Sequence, residues 1–177
     1  MAQAAPSLVL FGPNRQGVLY SVDAQGTQLP MFADNVRKQK PQVQVFRILQ
    51  NSLHHPIATS SSSSLSGTVT MTLNGQEIKM KPSWEGMQFS MSFESPAGKL
   101  TWRPTSWGNG MMLRDKSGTS LAKYVYYKLS GDPQLEIFVP LDDSFLDLVV
   151  TAAISVYEND KKSLKTVSKV VKAAAGV

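Results

Sequence analysis

Three groups of residues in this chain have types and spacings that could do chemistry. The first is acidic: Asp142, Asp143 and Asp147 lie close together, as paired carboxylates or cation ligands must. The second is nucleophilic: His54-His55 precede Thr59–Ser64, an unbroken run of hydroxyl residues, and a hydroxyl nucleophile needs a base such as histidine. The third is cationic: Lys161, Lys162, Lys165, Lys169 and Lys172 stand in a stretch without a single acid, a pattern attracted to anionic surfaces.

The first two groups have simpler readings. Carboxylates before an apolar run complement the positive end of a helix, so the three aspartates read as a helix start. Adjacent histidines in a loop point apart and no third metal ligand follows them, so no metal site is expected. Gly-x-Ser-x-Gly, the phosphate-cradling loop and the dinucleotide glycine pattern are all missing. With no cysteine in the chain, thiolate catalysis and disulfides are excluded. The expectation is therefore a protein with no catalytic residues and no cofactor.

The third group survives because the charge is segregated. Of eighteen Lys and Arg, five fall in 161–177; the other thirteen balance all thirteen Asp and Glu. The chain divides into a neutral domain, 1–160, and a basic tail, 161–177. Nucleic acid is not an expected partner despite Trp84, Trp102, Trp107, Arg103 and Arg114, because such binding is chiefly phosphate neutralisation and the domain has no net charge to offer.

The elements that would position these residues are mostly strands. A chain of 177 residues that is 42% hydrophobic fits one domain with a continuous core. From Ser7 to Val139 short runs alternate with period two between Gly, Pro, Asn, Asp and Ser punctuation. Ten strands are expected, at Ser7–Phe11, Gly17–Val22, Gln42–Leu49, Thr68–Leu73, Glu77–Met80, Gln88–Phe93, Lys99–Arg103, Gly110–Arg114, Ser120–Leu129 and Gln134–Val139. Asn74-Gly75 is the strongest hairpin signal, and Asp115–Gly118 marks a second. A phase change between Val45 and Phe46 suggests a bulge. Trp102 shares a face with Leu100 and reads as core, whereas Trp84 and Trp107 fall in Pro/Gly-rich turns that rim an opening. Leu53–Gly67, with its hydroxyl run, reads as a flexible surface loop, in preference to a phosphorylation segment. Connections this short suit an antiparallel meander, and closure into a barrel removes its edges.

The pattern changes after Pro140. Asp142, Asp143 or Ser144 can cap a helix, with Asp147 placed as a capping-box partner of Ser144. Apolar residues from Phe145 to Tyr157 occupy every side of the helical wheel, so this helix, 143–158, must be buried on every side. A tube of strands wrapped around it would achieve that. Glu158–Lys162 reads as a polar turn that ends the helix. Ser163–Ala175 then forms a short amphipathic helix, with Leu164, Val167, Val170 and Val171 as its stripe and lysines opposite. The apolar stretch is too short to span a bilayer. Met1–Leu10 lacks a basic start, so neither a transmembrane segment nor a secretory signal is expected, and the default location is cytoplasmic.

Three segments carry a resemblance: Gly98-Lys99-Leu100-Thr101-Trp102-Arg103, then Met112 to Tyr124 around Asp115-Lys116-Ser117-Gly118, then Leu135-Glu136-Ile137-Phe138-Val139-Pro140-Leu141-Asp142 with the apolar helix after it. In this order they resemble the tubby C-terminal-like domains, which include the LURP-one-related proteins and phospholipid scramblases. The resemblance covers about residues 88–158 and implies a twelve-stranded barrel threaded by the helix. The Lys/Arg cluster through which tubby domains bind phosphoinositides has no match here. The scramblase calcium-loop acids are not reproduced either; only Asp132 and Glu136 are nearby.

The combined expectation is a mainly β protein: a closed antiparallel barrel of about twelve strands around a hydrophobic helix, with a short C-terminal amphipathic helix. Its function is expected to be non-enzymatic binding, peripherally at a membrane bearing anionic lipid such as phosphoinositide, or to a protein partner. Lys161, Lys162, Lys165, Lys169 and Lys172 are the contact residues, at roughly 1 kcal/mol each. The alternative is a small apolar-ligand carrier with its site at the barrel mouth.

Overall fold

Half-apolar strands need a shared interior, and the computed structural model shows how they obtain it: the sheet curls into a closed barrel. It describes residues 5–85, 88–106, 108–126 and 132–174, with backbone alone at 85, 88 and 162–174. Twelve strands follow in order: β1 (Leu8–Phe11), β2 (Val18–Val22), β3 (Gln28–Val36), β4 (Val43–Ile48), β5 (His54–Ser62), β6 (Val69–Leu73), β7 (Gln76–Glu85), β8 (Gln88–Ser95), β9 (Gly98–Pro104), β10 (Gly110–Arg114), β11 (Ser120–Val125) and β12 (Gln134–Ile137). Each pairs antiparallel with its predecessor, and β1 closes the ring on β12. After β12 comes one helix, α1 (Asp143–Ala174).

Inward positions follow the pleat. Val43 and Val45, Val69 and Met71, Leu100 and Trp102, and Leu135 and Ile137 are all buried, with more exposed residues between them. The helix fills the space they enclose: every residue from Leu146 to Val156 is buried, so no face of this segment meets solvent. Met71, Met80, Met91 and Met111 are also buried in this core, where flexible thioethers suit the uneven gap between a curved wall and a helix.

The expected barrel, buried helix and Asn74-Gly75 hairpin are all present, the last with positive φ at both residues (48° and 82°). Two strands, β3 and β5, were not expected. The supposed loop at Leu53–Gly67 is mostly β5, which pairs with both β4 and β6. Its hydroxyl run can enter the wall because the one deeply buried member is satisfied: Ser60 Oγ lies 2.7 Å from Ser155 Oγ of the helix. His54 and His55 begin this strand, exposed, where successive side chains take opposite faces. The expected bulge is there, between Val45 and Phe46, but the extra residue is Ile57 on the partner strand.

Two further corrections concern the ends of elements. Glu158–Lys162 does not break the helix; α1 runs through it to Ala174 in one piece. Polarity alone does not stop a helix, and this stretch contains no Gly or Pro. Trp84 belongs to β7 rather than to a turn, while Trp107 lies outside the described residues. β11 ends at Val125, and the rest of the expected Ser120–Leu129 strand falls mostly outside the described residues.

Because every link between strands returns antiparallel, turns alternate between the two barrel ends. One end carries loops 23–27, 49–53, 74–75, 96–97 and 115–119 and receives the start of α1. The other carries loops 12–17, 37–42 and 63–68, and α1 leaves there.

Candidate functional site

The three aspartates at the helix start have structural employment. Asp142 is the cap, its Oδ1 accepting the Phe145 N–H at 2.8 Å. Asp147 does not join a capping box with Ser144. Its Oδ1 instead accepts from Arg47 Nη2 at 2.5 Å and Nε at 3.0 Å, while Asp143 Oδ1 accepts from Arg47 Nη1 at 2.9 Å. Arg47 also lies 5.2 Å from the Phe32 ring centre. Burial pushes the Asp147 carboxyl above its ordinary range, against the pull of Arg47. This cluster locks the helix start to β4. Among the described residues no group of His, Cys, Asp or Glu is arranged to hold a metal ion.

The exit end is chemically richer. Tyr157, Glu158 and Lys161 of α1, with Asn14, Arg15 and Gly17 of the β1–β2 loop, Asp34 of β3 and Asp132, line an open cleft of about 480 Å³. Around it the rings of Tyr124, Tyr126 and Tyr157 form a mutual cluster with centres 5.1–5.7 Å apart. Tyr126 Oη donates to Asp160 Oδ2 at 3.1 Å and Tyr20 Oη to Asp132 Oδ2 at 3.3 Å. The tyrosines thus clamp the departing helix to the wall. Gly17 is required here: its φ is +76°, and a Cβ would stand 2.5 Å from the Asp34 carbonyl oxygen.

Lys161 is part of this clamp. Its Nζ donates to Glu158 Oε1 at 2.8 Å and sits 4.5 Å from the Tyr157 ring centre. Burial pulls its amine down, but the Glu158 carboxylate outweighs that and holds it above its ordinary value. The backbone at Lys162, Lys165, Lys169 and Lys172 is helical. At about 100° per residue, all five lysine positions fall within one arc of about 100° on the wheel.

Asp34 is the uncomfortable member. Burial first, and then the charge of Glu158, raise its carboxyl to about 6. A raised carboxyl favours the protonated native state, so its stabilisation is complete below the unfolded value and is lost as pH rises through about 6. Asp34→Asn is therefore expected to be more stable than the parent by about 1–2 kcal/mol near pH 8, with the gap closing toward pH 4. Urea midpoints across that range check this; a pH-independent difference would contradict it.

Sequence reasoning missed a second set of cations. Arg37, Lys38 and Lys40, all exposed, occupy the β3–β4 loop at the exit end. The next loop around the rim presents Leu65, 100% exposed, and the end of β7 after it presents Trp84, 69% exposed. The Trp84 ring packs on Phe89 with centres 5.2 Å apart. The signal for the cations was the run Arg37-Lys38-Gln39-Lys40 itself; nothing local links it to Leu65 or Trp84. A groove of about 570 Å³ on the outer face of β7–β9 mixes Lys79, Lys81 and Lys99 with Glu77 and Glu94, and Lys79 is paired with Glu77 at 3.2 Å. Its charges are mixed, unlike those of the β3–β4 loop.

No described helix is long and apolar enough to cross a membrane. No known protein family, curated protein or solved structure matches the chain.

Proposed function

We propose that this protein is a non-enzymatic binding module that docks on an anionic membrane surface, such as one bearing phosphoinositide, through the lysine face at the end of α1. Tubby domains, which residues 88–158 resemble, bind anionic lipid through a Lys/Arg cluster that has no match here, so the reading rests on the helix itself. The observation that carries it is the continuity of α1: the rod that fills the barrel runs on as a helix through Lys162, Lys165, Lys169 and Lys172. Helical geometry turns a basic composition into a basic face. A protein partner with an acidic surface would use the same face.

An apolar-ligand carrier is less well supported. The barrel axis is occupied by Leu146–Val156, and the cleft at the mouth is lined by Asn14, Arg15, Asp34, Asp132, Glu158 and Lys161, which suit no apolar ligand.

The test is flotation on phosphatidylcholine vesicles with and without phosphatidylserine or phosphoinositide. The variant carries Lys162→Gln, Lys165→Gln, Lys169→Gln and Lys172→Gln, sparing Lys161 because Glu158 needs it. At roughly 1 kcal/mol per lysine, binding is expected to weaken by several hundredfold, about 4 kcal/mol. Equal flotation of parent and variant would remove the lysine face from the proposal.

A further inference from the structure

We infer that the exit end of the barrel is itself a membrane-docking face, in which Leu65 and Trp84 enter the interfacial layer of an anionic bilayer while Arg37, Lys38 and Lys40 meet its phosphates. This rests on the membrane reading above and identifies a second contact for it. The three parts are remote in sequence, but the strand order β3-β4-β5-β6-β7 makes their loops neighbours. The loops are also tied together. Gln42 Oε1 accepts the Ser62 N–H at 2.6 Å and lies 3.1 Å from Ser62 Oγ, joining the cationic loop to the foot of the Leu65 loop. A Cβ on Gly67 would lie 3.4 Å from Pro82 Cγ, so the Leu65 loop rests on β7 beside Trp84.

Four N–H groups of the Leu65 loop bond internally: Ser63 N–H to the Thr68 carbonyl, Gly67 N–H to the Ser63 carbonyl, Ser66 N–H to Ser63 Oγ, and Thr68 N–H to Ser66 Oγ, at 2.9–3.3 Å. These bonds hold the loop in a fixed turn with Leu65 at its tip and lower the number of donors that docking at the interfacial layer would desolvate. Tryptophan suits the adjoining depth, where one edge of the ring is apolar and the other wet.

Charge selects this end. The opposite end also exposes apolar residues, Leu49 and Leu53 among them. Its loops and helix start, however, carry Asp23, Asp115 and Asp142 against Lys116 and Arg114, and Asp143 there is paired with Arg47, so this end offers a negative surface little attraction. Among the described residues, the exit end joins exposed apolar side chains to Arg15, Arg37, Lys38 and Lys40 and to the departing lysine helix, while its acids Asp34, Asp132 and Glu158 sit in the cleft, Glu158 paired with Lys161. Apolar insertion beside basic residues is the combination that turns weak surface attraction into lasting binding.

Flotation on vesicles of phosphatidylcholine and phosphatidylserine tests this with three variants of the full chain. Leu65→Ser with Trp84→Ser is expected to weaken binding by about tenfold per residue, and Lys38→Gln with Lys40→Gln by about fivefold per residue. Leu53→Ser, at the opposite end and comparably exposed, is expected to change nothing. Near-UV circular dichroism confirms that each variant is folded. Bromine on the lipid acyl chains is expected to quench the fluorescence of the parent, with the loss absent in Trp84→Phe. A parent that floats while the Leu65/Trp84 variant floats equally well, with no quenching, overturns this inference and leaves the lysine face standing. A parent that does not float overturns both.

Discussion

A chain ending at Leu141 is expected to show no cooperative unfolding transition, whereas one ending at Lys161 keeps it. Eight strands enclose a bore that wall side chains can just fill, and this barrel has twelve. Its lumen is wide enough for a helix, whose diameter is about 10 Å, and the buried segment Leu146–Val156 occupies it. Each larger side chain there contributes about 1.5–3 kcal/mol of gross burial. Losing all of them exceeds the 5–15 kcal/mol net stability of an ordinary domain. The longer truncation keeps the bond between Lys161 and Glu158, which is only 8% exposed. Near-UV circular dichroism through a urea titration separates the outcomes. A sharp transition in the chain ending at Leu141 would mean that the wall is self-sufficient.

The second large effect is expected at the other end of the helix. Arg47→Met should cost about 3–5 kcal/mol, far more than an exposed ion pair is worth. The Asp147 side chain is 9% exposed and Arg47 21%, against 87% for Asp143, so Asp143 can turn to water while Asp147 cannot. Removing the guanidinium leaves a buried carboxylate without its hydrogen-bonded partner, and burial already raises that carboxyl above its ordinary range. The sign with pH follows: the loss is largest where Asp147 is ionised and shrinks as acid neutralises it. Arg47→Met combined with Asp147→Leu should recover most of the loss, since an apolar pair leaves nothing uncompensated. Urea midpoints of the single and double variants decide. A double variant as unstable as the single one would show that Arg47 acts through packing on Phe32 instead.

The barrel was legible wherever strands kept their period, and the exceptions share one cause. β3 and β5 each contain a proline beside a bulge. Met31 is the extra residue next to Pro30, and Ile57 the extra residue next to Pro56. A bulge accommodates proline's missing N–H, but it also brings two neighbours inward together: Phe32 with Ala33, and Ile57 with Ala58. That erases the alternation on which recognition depends. β5 hides further because a hydroxyl pair, Ser60 with Ser155, stands where an apolar contact would have announced a core position. The helix start was readable from its aspartates, although which one caps and which holds Arg47 depended on β4, about a hundred residues away. The lysines of the candidate site were visible as composition. The adjacency of Arg37–Lys40, Leu65 and Trp84 was not, because ring closure and strand order create it and no local pattern records either.

The β3–β4 loop at one end of the barrel carries Arg37, Lys38 and Lys40, while the loops and helix start at the other carry Asp23, Asp115 and Asp142, an asymmetry of loop charge along the barrel axis. In the field of a negative surface such a body experiences a torque before it makes any contact. On the docking inferred above, the protein would arrive already turned, exit end first. Added salt should then slow its arrival and leave its departure, which that inference assigns to Leu65 and Trp84, almost unchanged.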